Sequence, residues 1–86
     1  MGYPAIGYIT YTMAGGTQTE KERLRNLLRQ IRKEADLRQV DLAYKLGRPQ
    51  SYVSKYESGE KTLDLLEIKE ICEVLKVSLS DFVKRI

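Results

Sequence analysis

Four polar side chains near the middle of the sequence have the types and spacing needed to contact a patterned polar surface. At about 100° per residue they share one side of a helix, within roughly 140°. This polar ridge consists of Gln50, Ser51, Ser54 and Lys55. Its amide, hydroxyl and ammonium groups can pair with base edges and phosphates in a major groove. An ordinary solvated helix face would more often mix Glu with Lys, so the lack of acid is the informative feature.

The ridge requires a helix that turns its opposite side inward. The sequence predicts that helix from Pro49 to about Ser58, because proline suits a helix entry, where its missing N–H costs nothing. Val53 and Tyr56 fall on the side away from the ridge and would insert into a core. Gly59 can accept the left-handed backbone that ends a helix.

A short helix is predicted immediately before it, from Gln39 to Leu46. Gly47 stops this helix and lets the chain reverse, so the two helices must cross at a steep angle. Ala43 supplies the small side chain that such close packing needs. The pair is therefore predicted to be a helix-turn-helix.

The first predicted helix begins at a Thr-x-x-Glu capping box formed by Thr19 and Glu22 and ends near Asp36. Spacings of three and four define its apolar stripe: Leu24, Leu27, Leu28, Ile31 and Ala35.

Two further helices are predicted after the ridge. Asp64 and Glu67 form a second capping box, and Ser78 and Asp81 cap a short fifth helix. The residues predicted to face inward are Leu65, Ile68, Ile71, Cys72 and Leu75 in the fourth helix and Phe82, Val83 and Ile86 in the fifth. The expected fold class is all-α, a compact five-helix domain over residues 19–86.

Residues 1–18 differ from the rest, with three of the six tyrosines, four of the six glycines and no charged side chain. Their alternation is a weak strand pattern, and a single strand must pair or stay loose. The segment is interpreted as a flexible tail, irregular or weakly β, or as a strand exchanged between the subunits of a dimer. The run Ala14–Gly15–Gly16 would be its joint.

Composition excludes several classes of protein. The chain has 86 residues, enough for one domain. Cys72 is its only cysteine and histidine is absent, so neither an intramolecular disulfide nor the usual zinc site can form. We expect no cofactor, no metal and no enzymatic activity. Lacking a secretory signal and an apolar run of about 20 residues, the chain is expected to be cytoplasmic and not to enter a membrane.

The positive charge is concentrated around the helix-turn-helix. Residues 21–57 carry ten basic and five acidic side chains, whereas residues 58–86 carry five basic and six acidic ones. An excess on one half of the chain suggests a polyanionic partner, although alone it is more typical of a solvated basic face.

The sequence from Leu24 to Val83 resembles the Cro/C1-type, or XRE, family of phage-repressor-like DNA-binding domains. The residues that carry the resemblance are Gln39, Leu42–Ala43, Leu46–Gly47, Val53–Ser54, Tyr56–Glu57–Ser58–Gly59 and Leu75–Lys76–Val77–Ser78–Leu79. The resemblance implies a transcription regulator that binds specific double-stranded DNA, with the ridge facing bases. Glu60 departs from it, because the family usually has a basic residue there.

Roles for residues beside the ridge follow from the same resemblance. Gln39 would grip a phosphate at the positive end of its helix. Arg48 and Tyr52 border the ridge and would touch the DNA backbone, and Lys61 would contact a phosphate. Arg32 matches the family's arginine that pairs with a glutamate, here Glu57; this pair would either hold the fold alone or also project charge toward a phosphate.

Two partner hypotheses remain. Because one helix reads only a few base pairs, a homodimer on a palindrome is expected, with Phe82, Val83 and Ile86 as the first candidates for the contact. Phe82 and Val83 could instead complete the monomer core, which leaves Ile86 as the better interface residue. The alternative function is a protein-interaction module or antitoxin subunit with the same fold, whose protein partner would bind the N-terminal tail.

Overall fold

The computed structural model describes residues 19–86, which form five helices and no strand. The helices are α1 (Glu20–Glu34), α2 (Gln39–Leu46), α3 (Gln50–Ser58), α4 (Leu65–Val74) and α5 (Leu79–Arg85). The predicted all-α, five-helix architecture is confirmed, whereas the predictions for residues 1–18 lie outside the described residues. In the described part of the chain, every helix is too short or too polar to cross a bilayer.

Local hydrogen bonds begin the helices where the sequence predicts them. At α1 the backbone N–H of Glu22 donates to the Thr19 hydroxyl at 3.1 Å, and the N–H of Thr19 donates to the Glu22 carboxylate at 2.9 Å. Asp64 and Glu67 make the same reciprocal pair at α4, with distances of 2.8 and 3.0 Å. The hydroxyl of Ser78 caps α5. Each cap satisfies N–H groups that the first helical turn leaves free.

The turn between α2 and α3 is three residues long. Gly47 has φ of +69°, and the N–H of Arg48 donates to the carbonyl of Ala43 at 2.9 Å. Ala43 is buried, which allows α3 to cross close to α2. Pro49 precedes the first residue of α3 and does not occupy its first turn, one position from the prediction.

The core lies where α3 packs on α1 and α2, and where α4 packs on α2 and α5. Its fully buried side chains include Leu28, Leu42, Val53, Tyr56, Ile71, Cys72 and Phe82. All five helices therefore contribute, and the inner side of α3 is enclosed by the rest of the domain.

Three predicted core residues are exposed. Leu65 is 65% and Val83 58% exposed. Leu65 lies in the first turn of α4, and Val83 lies about 100° round α5 from the buried Phe82, at the margin of the apolar side. Ala35 is exposed because α1 has already ended at Glu34. Leu65 and Val83 are helical as predicted, but the neighbouring helices do not cover them, whereas α1 ends two residues before the predicted end near Asp36.

Asp36 and Lys76 hold the left-handed conformation that usually belongs to glycine just past a helix end, with φ of 63° and 62°. After α4, the N–H of Lys76 donates to the carbonyl of Glu73, and the N–H of Val77 donates to that of Cys72. These bonds satisfy carbonyls of the last turn of α4. They offset the free-energy cost of the left-handed backbone at Lys76, but they do not remove it.

We expect Lys76→Gly to raise the free energy of unfolding by about 0.5–1 kcal/mol, because glycine removes the cost of the left-handed backbone, less the entropy that it loses on folding. Lys76→Ala is the matched control, since it removes the same amine but keeps Cβ. Urea denaturation measures both. Equal stability of the two variants would contradict the argument.

Candidate nucleic-acid interface

The polar ridge lies on the outer side of α3. Gln50, Ser51 and Lys55 are exposed and Ser54 is half-buried. The Ser54 hydroxyl donates to the carbonyl of Ser51 at 3.2 Å. Among residues 19–86, no carboxylate lies within ion-pair distance of Lys55. The structure thus brings all four predicted base-facing residues to one accessible surface.

A buried ion pair ties α3 to α1. Arg32 Nε donates to Glu57 Oε2 at 2.7 Å and Arg32 Nη2 donates to Glu57 Oε1 at 3.0 Å. The two side chains are 7% and 3% exposed. Arg32 Nη1 donates to the carbonyl of Leu37 at 2.7 Å. The bonds to Glu57 raise the pKa of the Arg32 guanidinium above its ordinary value, although burial opposes this.

This geometry supports the fold-holding role of Arg32. All three guanidinium nitrogens already donate to protein acceptors, and the side chain is covered. Three of its five N–H groups are used in this way, and the burial of the side chain limits the access of a phosphate to the other two. The phosphate contact by Arg32 stays a prediction.

Gln39, the first residue of α2, joins the same network. Its Nε2 donates to Glu57 Oε1 at 3.0 Å, and the residue is half-buried. One N–H of its amide is therefore used by α3, and a phosphate at the start of α2 would also meet the backbone N–H groups of the first turn. The sequence placed Gln39 at this helix start correctly, but did not reveal its bond to Glu57.

Arg48 and Tyr52 form a second cluster at the border of the ridge. The Arg48 guanidinium carbon lies 4.5 Å from the centre of the Tyr52 ring, and Arg48 Nη1 donates to Glu70 Oε1 at 2.7 Å. The Tyr52 hydroxyl donates to Glu67 Oε2 at 2.8 Å. Burial, and then this bond, raise the pKa of Tyr52 above its ordinary value, so the phenol stays protonated at neutral pH.

Lys61 completes this cluster from the loop after α3. Its Nζ lies 3.3 Å from Glu67 Oε2 and 5.6 Å from the centre of the Tyr52 ring. The pKa of Glu67 is lowered, chiefly by the backbone N–H of Asp64 and then by the Tyr52 hydroxyl, so Glu67 is ionised at neutral pH. Arg48 and Lys61, two cations predicted to contact the DNA backbone, thus both lie beside the Tyr52 ring and pair with carboxylates of α4.

Sequence reasoning missed the two carboxylates of α4. Glu67 was recognised only as a cap, and Glu70 was assigned no role. Their spacing of three residues places them close together on the surface of α4, and that spacing was the available signal. It could not show that α4 brings this side to Arg48.

Comparisons with known proteins agree with this architecture. Residues 28–82 match a family model described as helix-turn-helix, which covers more than half of the chain. Among solved structures, the chain is similar to an XRE-family like protein from Pseudomonas syringae pv. tomato str. DC3000, at 35% sequence identity and a TM-score of 0.72. That similarity covers 76% of this chain and 79% of the other. No curated protein matches. The resemblance predicted from the sequence is confirmed.

Arg32→Met should lower the free energy of unfolding by about 3–5 kcal/mol, because it leaves the Glu57 carboxylate buried without its partner. The matched control is Arg38→Met, which breaks the exposed fork between Arg38 and Asp41 at 2.9 Å and should cost far less. Urea denaturation compares the two variants. A similar loss for both would show that burial does not distinguish the pairs.

Proposed function

Because the chain belongs to the Cro/C1-type, or XRE, helix-turn-helix family of DNA-binding transcription regulators, we propose that it recognises specific double-stranded sequences with α3 in the major groove. Residues 19–86 form the DNA-binding domain in this proposal. One observation carries it: the acid-free ridge is exposed on a helix whose inner side is fixed by Val53, Tyr56 and the pair of Glu57 with Arg32.

In this proposal the side chains of the ridge make the direct contacts to base edges. The Gln50 carboxamide has one donor and one acceptor side, which suits paired hydrogen bonds to the edge of an adenine. Lys55 donates to guanine acceptors or to a phosphate. The Ser51 hydroxyl can donate to an acceptor or accept from a donor on a base edge. Ser54 uses its proton on the carbonyl of Ser51, so its hydroxyl oxygen is offered chiefly as an acceptor.

In this proposal the residues around the ridge contact the phosphates of the DNA backbone. Arg48 uses only Nη1 for Glu70, so its remaining N–H groups can bind a phosphate. Lys61 is a mobile point charge with three donors and can exchange its carboxylate for a phosphate. Tyr52 supports both cations with its ring, and its hydroxyl would have to leave Glu67 to donate to DNA. Gln39 contributes through the start of α2.

The proposed form on DNA is a homodimer. One recognition helix reads only a few base pairs, and a two-fold dimer places two of them on half-sites about 34–36 Å apart. Val83 is the better contact on α5, because it is 58% exposed whereas Phe82 is buried. Ile86, predicted to be the better interface residue, partly packs on the core, and its carbonyl accepts a bond from Arg23 at 2.8 Å.

Selection of bound duplexes from a random pool provides the preferred site, which should be an inverted repeat. On that site, Gln50→Ala should lose about 1–3 kcal/mol of the preference over a scrambled duplex, because the paired contact to a base is removed. The matched control is Gln30→Ala, an exposed glutamine on α1 that bonds only to Glu34 and should keep the preference.

Affinity is measured at several salt concentrations, where log K should fall by about 0.9 per phosphate contacted for each unit of log salt. Two outcomes contradict the proposal. One is a folded protein that binds no duplex at low ionic strength. The other is an unchanged site preference in Gln50→Ala and in Ser51→Ala, which would exclude the ridge as the reading surface.

The carboxylates of α4 are expected to restrain binding. Glu70→Gln keeps the shape of the side chain but releases the charge of Arg48, so the affinity for specific and scrambled duplexes should rise alike, by about two- to fivefold, as expected for loss of a surface ion pair. Glu73→Gln is the matched control, because it removes the same charge from α4 but frees Lys69 instead. An equal gain in DNA affinity for both variants would show that only the net charge matters, and would contradict a specific role of Glu70.

A further inference from the structure

A small cavity lies between the N-terminal half of α1 and the loop that joins α3 to α4. Its volume is about 60 Å³, and its charged lining is cationic: Lys21 and Arg25 from α1, and Lys61 from the loop. Leu24 contributes an apolar wall, and Tyr56 also lines the cavity. We propose that this cavity is a phosphate-binding site, separate from the polar ridge of α3.

The charges around the cavity are incompletely neutralised. Glu22 approaches Arg25 only to 3.7 Å, and Glu67 lies 3.3 Å from Lys61. Within residues 19–86, Lys21 has no carboxylate within 4.0 Å. Neither Glu22 nor Glu67 lines the cavity itself. Like charges that share a small space repel one another, so an anion between them is favoured.

Gly59 leaves room for the Arg25 guanidinium at the edge of this space. A Cβ at Gly59 would stand 3.1 Å from Arg25 Cζ and 3.3 Å from its Nη2, closer than a side chain normally approaches. The glycine therefore lets the guanidinium lie against the backbone. A guanidinium at this place presents several N–H donors in one plane, which suits the oxygens of a phosphate.

The volume of the cavity limits the size of the ligand that it can hold. A cavity of about 60 Å³ exceeds the space that one water molecule requires, so it admits a tetrahedral oxyanion but not a base with its sugar. The cationic lining excludes a metal ion. The phosphate group could be free in solution or belong to the DNA backbone. Lys61 connects the two possibilities, because it also lies over Tyr52 beside the ridge.

Inorganic phosphate is the probe for the site. It is titrated into the full chain at constant ionic strength, with chloride as the compensating anion, while the backbone amide signals of Gly59 and Thr62 are followed by NMR. We expect a saturable shift confined to residues around the cavity. The double variant Lys21→Gln with Arg25→Gln should raise the half-saturating concentration at least about tenfold, the loss expected for one charge-assisted hydrogen bond.

The matched control is Arg29→Gln with Lys33→Gln, which removes two charges from exposed positions of the same helix and should leave the shift intact. Circular dichroism checks that both double variants fold. A shift without saturation, or one that persists in the cavity variant, overturns the proposal.

DNA-binding measurements distinguish a phosphate of the DNA backbone from free phosphate as the ligand. Only this part of the experiment rests on the proposed function. If the DNA backbone enters the cavity, the cavity variant should lose more affinity than the control, and its log–log salt slope should fall by about 0.9 per lost contact. If free phosphate is the ligand, both variants should lose equally. A protein that binds phosphate in the cavity but no duplex would refute DNA recognition and leave the site standing.

Discussion

The buried fork between Arg32 and Glu57 constrains the position of α3 more than any other polar contact in the described residues. Two charges withdrawn from water must satisfy each other, because either one left alone would be costly. Arg32 also donates to the carbonyl of Leu37, and Glu57 also accepts from the amide of Gln39. One polar network therefore joins α1, the α1–α2 joint, the start of α2 and α3, and it sets the direction in which the ridge faces.

With α3 held in this way, the surface divides into two electrostatic zones. The ridge is acid-free, so Gln50 and Lys55 remain available to a ligand. At its border, Arg48 and Lys61 are held by carboxylates of α4 over the Tyr52 ring. The groups suited to contacting bases are thus accessible in the free protein. The cations suited to binding phosphates must first give up a carboxylate partner, at least in part.

Local features were predictable to within two residues, whereas burial at the margins of the helices was not. The caps at Thr19 and Asp64 depend on a side chain three residues away, so the sequence contains both partners. Leu65 and Val83 were predicted to face inward from helical spacing alone. Spacing defines the side of a helix, but the extent of the neighbouring helices determines how much of that side is covered.

The sequence by itself determined the five helices of residues 19–86, the glycine turn at Gly47 and the composition of the ridge, because each depends on residues a few positions apart. Only the tertiary structure decided that Glu70 reaches Arg48, that Glu67 reaches Tyr52 and that Gln39 bonds to Glu57. These pairs are separated by 22, 15 and 18 residues, and their approach is set by how the helices pack. The cationic cavity between α1 and the α3–α4 loop arises in the same way, since no local pattern brings those segments together.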